Sequence, residues 1–374
     1  MHPLKLKNLL HRHHHQAIPT DLVHRIHDHL LIFHNSKNNK DLNHRRIAKL
    51  LEQLHCIVYG DSDSEPNPKV CSKTAEEFFK NKHSSNNPFR VLIKCFGELE
   101  WESQTLACQI VTNLMAQHLP CSSNFIAADY FEENMDLVDF LLTATFDLVD
   151  RNCHVALLYG SMLRECVLRS QTATKHVLHS RNRIKKFLDC ATLPNYTFAA
   201  HVADTLDILL TRHKSCVAEF LSTNYEWFFE HFNSKLLMSS NQLTKSKVLT
   251  LLGNLFLEGK NRGVMLHYLS DVDNLKVVMN ALRESKSVQL KAFHVFKLFV
   301  LNSEKPQGVV DILRLNKPKL LQFLDGLKPC REDHKFDEDK SRVITEISVL
   351  HHQVLCNHTS LPEKVCNRLT INVA

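Results

Sequence analysis

The stretch Val202–Leu221, VADTLDILLTRHKSCVAEFL, decides how the rest of the chain is read. Val202, Leu206, Leu209 and Leu210 recur at i, i+4, i+7 and i+8, which places them on one side of an α-helix. Asp204, Asp207 and Arg212 fall off that stripe. A helix this short is not stable alone and must bury its stripe against neighbours. A turn at His213–Ser215 follows, then a second apolar stripe at Val217, Phe220 and Leu221.

The neighbours are further copies of the same unit. Positions i, i+3, i+4, i+7 and i+8 from Val202 define a template. It fits at Ala107 (Ala107, Ile110, Val111, Leu114, Met115) and at Tyr159 (Tyr159, Met162, Leu163, Cys166, Val167). It fits again at Leu249 (Leu249, Leu252, Gly253, Phe256, Leu257) and at Ala292 (Ala292, Val295, Phe296, Phe299, Val300). Only Thr205 and Gly253 interrupt it, and successive copies lie 52, 43, 47 and 43 residues apart. Two shorter helical patterns follow each later copy, as at Val217–Leu221 and Tyr225–Phe232 after the one at Val202. Periods in the forties built only from helices point to armadillo or HEAT repeats, and three helices per repeat is the armadillo-like form. The expected fold is an all-α, armadillo/HEAT-like helical-repeat solenoid, a curved rod.

Composition agrees. The chain has 374 residues, 44% of them hydrophobic, enough for a substantial core. Only 8 are glycine, which argues against phosphate-cradling loops and tight-turned β architecture. The net charge of +6 is mild and does not by itself imply nucleic acid. The 12 cysteines are scattered without a C-x-x-C pair, and Cys108 and Cys166 sit on apolar stripes. That pattern suits reduced thiols in a cytoplasmic protein rather than a disulfide framework. No apolar run reaches bilayer-spanning length and no signal-peptide core follows Met1.

Taken in order, residues 1–17 read as a disordered, basic, His-rich tail. A single helical-repeat domain is expected over 18–352, and a frayed end over 353–374. Pro19 opens the first helix, and a second runs from about Asp41 to Ile57. The connector DSDSEPNP begins like a calcium loop at Asp61, Asp63 and Glu65. Its sixth position is Pro66 rather than Gly and its twelfth is Ser72 rather than Glu, so an EF-hand is rejected. After the charged stretch REDHKFDEDK a last helix is expected at about Ser341–His352.

No P-loop, GxGxxG, HExxH, GxSxG or kinase signature is present. Arg164-Glu165-Cys166 and Thr211-Arg212-His213-Lys214 are isolated polar groups. Cys166 holds a core template position, and the basic residues of the second group suit a helix C-terminus. No catalysis and no cofactor are expected. The basic clusters at His44–Arg46 and Arg181–Lys186 (RNRIKK) lack the continuous aromatic-interleaved stripe of a nucleic-acid binder, which is kept as the alternative reading. A repeat array does offer a long surface of the kind used to bind protein partners.

One family shares these motifs. PTDLV at 19–23, IVYGDSDSEP at 57–66, GSMLREC at 160–166, LLTRHK with AEFL at 209–221, and LLGNLFLE at 251–258 occur in its order, as do NLKVVMNALRES and KAFHVFKLFV at 274–300. The chain resembles the calcium-binding protein 39 family over roughly residues 18–350. The resemblance implies an armadillo-like scaffold whose concave face cradles a kinase or pseudokinase and raises its activity. The implied partners are a STRAD-type pseudokinase with liver kinase B, and kinases of the sterile-twenty class. A second implied site, in the C-terminal repeats, takes a Trp-Glu-Phe partner tail. Carried over residue by residue, Tyr196 and Lys245 belong to the kinase face, and Met279, with nearby Phe293, to the peptide groove. Gln242, Ser246 and Gly259 replace a family Tyr and two Arg, departures that bear on which kinase is bound and on its activation.

Overall fold

The computed structural model describes residues 19–35, 40–61, 64–118, 123–329 and 333–350. The His-rich tail at 1–17, the end at 353–374 and Asp63 of the acidic connector lie outside the described residues. Every regular element among the described residues is helical, and β pairing is confined to two isolated bridges. The chain divides into two compact units, one up to Arg183 and one from Ile184.

The first unit comprises α1 (Pro19–Asn35), α2 (Lys40–Tyr59), α3 (Pro68–Phe79), α4 (Pro88–Cys95) and α5 (Trp101–Met115). It continues with α6 (Ile126–Glu133), α7 (Met135–Asp147), α8 (Cys153–Arg169) and α9 (Gln171–Leu178). The long helices α2, α5 and α8 lie side by side with α5 in the middle, and α1 closes the outer side of α2. Gly60 ends α2 in the left-handed region at φ 82°, where a Cβ would collide with the Ser64 carbonyl oxygen. A polar knot ties the short helices together. Arg90, on α4, donates to both carboxylate oxygens of Asp136 and, at 2.6 Å, to Asn134 Oδ1. Tyr130 donates to Asn87 Oδ1 at 3.1 Å, and Asn87 in turn donates to the Phe78 and Lys80 carbonyls.

Helix α10 (Arg181–Cys190) spans the boundary. The second unit then runs through α11 (Tyr196–Thr211), α12 (Lys214–Thr223), α13 (Tyr225–His231) and a π-helical turn at Phe232–Leu237. Helices α14 (Gln242–Leu257), α15 (Arg262–Ser270), α16 (Val272–Ala281) and α17 (Lys286–Leu301) follow. Helices α18 (Gln307–Leu315), α19 (Lys317–Gly326) and α20 (His334–Ser348) complete it. The long helices α11, α14, α17 and α20 pack in sequence, each separated from the next by two short ones. This is an all-α helical-repeat solenoid fold.

The burial pattern shows why the copies stack. Helix α11 buries Phe198, Ala199, Val202, Ala203, Thr205, Leu206, Leu209 and Leu210. The same offsets are buried on α5 from Ser103, on α8 from Val155 and on α14 from Thr244. The copy on α14 therefore begins at Val248, not Leu249: Gly253 is half-buried and Leu257 is 74% exposed. The run Val248-Leu249-Thr250-Leu251-Leu252 fits both registers, and the cap decides between them. Asn241 Oδ1 accepts from Thr244 N, as Asn195 does from Phe198 N and Asn152 from Val155 N. Each cap stands three residues before the first buried position.

Two boundaries also move. The last helix starts at His334 rather than about Ser341, because Asp333 caps the Phe336 amide and Phe336 is buried against Phe293 at 4.9 Å. In its charged first half His334, Lys335, Asp337 and Glu338 face solvent. The turn expected at His213–Ser215 is shorter, since α12 already begins at Lys214, with His213 at its N-cap position but without a side-chain cap bond. Lys214 thus lies at a helix start rather than a helix end. The Glu258 carboxylate holds it there at 2.5 Å.

Candidate partner-binding site

Tyr196 is the first residue of α11, behind the cap Asn195, and 66% of it is exposed. Thr244 Oγ1, in the first turn of α14, donates to the Ala191 carbonyl at 2.9 Å and ties that helix start to the turn before α11. Beside it lies Lys245, only 5% exposed. Its Nζ donates to Glu284 Oε1 at 2.6 Å, and Gln242 Nε2 donates to Glu284 Oε2 at 2.7 Å. Ser285 Oγ donates to Gln242 Oε1 at 3.0 Å, which closes the group. The Lys245 ammonium, then the Gln242 amide, hold the Glu284 carboxyl below the usual carboxylate range. Lys245 is thus a neutralised strut within a polar group; Leu243, two residues before it, is 51% exposed.

The other expected positions lie elsewhere. Met279, on α16, is 3% exposed, and Phe293, on α17, is fully buried against Phe336 and His294. Both are core side chains, so neither lines an open groove. The stripe that carries Met279, Leu275–Leu282, packs against α17, which carries Phe293, as repeat cores do. Ser246 is half-buried near the start of α14. Gly259 follows the far end of that helix, about 24 Å away along its axis. The structure therefore gathers Tyr196, Gln242, Lys245 and Ser246 near two helix starts and separates them from Gly259.

The Mo25-like family model matches residues 9–351. The chain belongs to the Mo25-like family. An MO25-like protein of Arabidopsis thaliana is 43% identical over 340 residues, covering 89% of this chain and 95% of the relative. The Mo25-like protein of Schizosaccharomyces pombe is 34% identical over 315 residues, 84% of this chain and 91% of the relative. The human protein called calcium-binding protein 39-like is 32% identical over 331 residues, 88% of this chain and 94% of the relative.

Within this Mo25-like chain the other chemical candidates are accounted for structurally. Cys166 is fully buried, and burial pushes its thiol well up; burial pushes Cys108 to about 12. Neither is a nucleophile at neutral pH. Among the described residues no cluster of His, Cys, Asp and Glu is arranged to hold a metal ion, and no helix is long and apolar enough to cross a membrane. In the basic RNRIKK segment Arg183 pairs with Asp139 at 2.7 Å and donates to the His176 carbonyl.

Sequence reasoning missed Glu284. Its partner is 39 residues away, so no local spacing announces it. The caps at Asn152, Asn195 and Asn241 did leave a signal, an Asn at a fixed distance before each stripe.

Proposed function

We propose that this chain is a non-catalytic cytoplasmic scaffold that binds and activates a protein serine/threonine kinase or pseudokinase of the STRAD or sterile-twenty class, with liver kinase B as the third member of the pseudokinase complex. The observation that carries this reading is Tyr196. It is a large aromatic, two-thirds exposed on a rigid capped helix start, in a chain of the Mo25-like family. Aromatic anchors of this kind dominate the affinity of protein interfaces. A scaffold that contacts only the active arrangement of a kinase shifts its population toward activity. Gln242 and Ser246, in the first turns of the next long helix, offer neutral hydrogen bonding where the resemblance expects Tyr and Arg, and this tunes the choice of kinase. The test is the activity of purified sterile-twenty-class kinases, and of liver kinase B with a STRAD-type pseudokinase, with and without the full chain. Stimulation that weakens about tenfold in affinity with Tyr196→Ala supports the reading. No stimulation of any of them sinks it.

The Trp-Glu-Phe site belongs to the same proposal in altered form. Met279 and Phe293 form the packed layer beneath the peptide, and Met279 repacks around an inserted ring. Met279→Ala is expected to lower the stability of the chain by about 2 kcal/mol, as core truncation does, and to weaken Trp-Glu-Phe peptide binding. Calorimetric titration of a folded Met279→Ala chain with unchanged peptide affinity removes Met279 from the site.

A further inference from the structure

Helix α20 is the most lightly held of the long helices in the second unit. It buries only Phe336, Val343 and Ile347, where α11, α14 and α17 each bury seven or more residues. It packs chiefly against α17 and α19. An element with few buried apolar contacts opens before the rest of a fold does. Three ties sit in or just before its first two turns. Phe336 seats against Phe293 at 4.9 Å, Asp333 caps the Phe336 amide, and Asp339 pairs with Lys297 on α17.

His294 stands among these ties. It is half-buried on α17, with the Phe336 ring nearly perpendicular to its own at 6.2 Å. Lys291 and Lys297 lie three residues to either side of it on the same helix, and so on its own face. Both line a concavity of about 230 Å³ that His294 also lines, as do Asp333, Lys335 and Asp339 from α20 and its approach. The residues of α14 that close the other side carry no titratable group. No charged group of α14 or α16 is among the main ones acting on the ring.

These surroundings work against a proton on His294. Asp339 is engaged by Lys297, and Asp333 by the Phe336 amide. Burial, then Lys297 and Lys291, push His294 below the ordinary histidine range, against the weaker pull of Asp339 and Asp333. The Phe336 centroid lies beyond the roughly 6 Å within which an aromatic face attracts a cation. An imidazolium would therefore stand beside two ammonium groups, at the contact that seats α20.

We propose that the contact between α17 and α20 is an acid-released latch, closed while His294 is neutral and opened when it takes up a proton. Opening returns the ring to water and away from the lysines, so the open form binds the proton more readily. The latch is then at full strength above the ordinary histidine value, near pH 6.5, and weakens as pH falls below it. Release is local, because the other long helices of the unit keep their deeper stripes.

The test is hydrogen exchange of the full chain followed by mass spectrometry, with rates corrected for the pH dependence of exchange itself. Between about pH 7.5 and about pH 5.5, where carboxylates ordinarily stay charged, the amides of α20 should become at least about threefold less protected. Those of α11 should not change. His294→Gln keeps a neutral polar side chain and should abolish the response of α20. Circular dichroism reports whether the variant folds. Should it not, Lys291→Glu, at a half-buried position, carries the test: a carboxylate beside the imidazolium should at least halve the response. Equal protection of α20 at the two pH values overturns the proposal. So does an undiminished response in folded His294→Gln or in Lys291→Glu. Equal loosening of α11 also overturns it, since the acid effect is then global and no latch exists.

Discussion

Two buried cations, one in each unit, are held by carboxylates from distant sequence and serve different ends. Arg90 reaches Asp136, 46 residues on, and Lys245 reaches Glu284, 39 residues on. Their side chains are 10% and 6% exposed. Arg90 spreads a planar fork over both oxygens of its partner and over Asn134, next to the Tyr130–Asn87 bond. That geometry has one solution and fixes how α4, α6 and α7 meet. Lys245 makes a single contact and shares its carboxylate with Gln242. A point charge on a flexible stem fixes less, and here it joins a half-exposed polar group with Gln242 and Ser285. The same charge pairing thus locks an interior in one unit and levels a surface in the other.

Arg90→Ala should have the largest effect. It removes the fork, leaves Asn134 Oδ1 without its donor in a buried setting and opens a gap. A loss of about 3 kcal/mol is expected in denaturant unfolding followed by circular dichroism. A loss below about 1 kcal/mol would erase the contrast with Lys245.

At the second pair the two partners should respond unequally. Glu284→Ala strands the Lys245 ammonium where water barely reaches it and should cost about 2 kcal/mol. Lys245→Met replaces the buried stem with an apolar one and leaves Glu284, a third exposed, to solvent, at about 0.5 kcal/mol or less. Equal losses from the two variants would show that the pair acts as a rigid lock after all.

Acid should reveal the smallest difference. Both carboxyls are held below their ordinary values, Asp136 chiefly by the Arg90 hydrogen bond and Glu284 chiefly by Lys245. Such groups contribute stability that is fully present above the unfolded carboxylate range, near pH 4, and lost as pH falls through the lower folded value. Stability should therefore decline on acidification below about pH 4.5, and Glu284→Gln and Asp136→Asn should each flatten part of that decline. A pH profile identical in the wild type and both variants would count against the two pairs.

The fold was legible because burial on the long helices follows a strict period. From Val202 the stripe could be found on α5, α8 and α17 without error, and on α14 to within one residue. That one slip misplaced Gly253 and Leu257 in the core, when both belong to the exposed side. It is a small mistake in a string and a large one on a helix, where one residue turns a side chain by about 100°. The start of α20 was missed because REDHKFDEDK reads as loop by charge alone, whereas Phe336 and the Asp333 cap make it helix. The candidate site was legible in part. Tyr196 stands on the surface, while Met279 and Phe293 are interior, and periodicity alone could not tell a groove from the core it overlies. Lys245 reads as a surface charge in sequence, and only the turn at Glu284 shows why it is covered.

The asparagine caps have a consequence for how such a chain can change in length. Asn152, Asn195 and Asn241 each restart the count of buried positions at the head of a long helix. An extra residue in the short helices or turns upstream is absorbed there, because the next Asn sets the phase afresh. The same insertion after the cap throws every later side chain of that helix onto the wrong face. The spacing of the copies is compatible with this: Asn152, Asn195 and Asn241 are unevenly spaced, yet the burial pattern after each is the same.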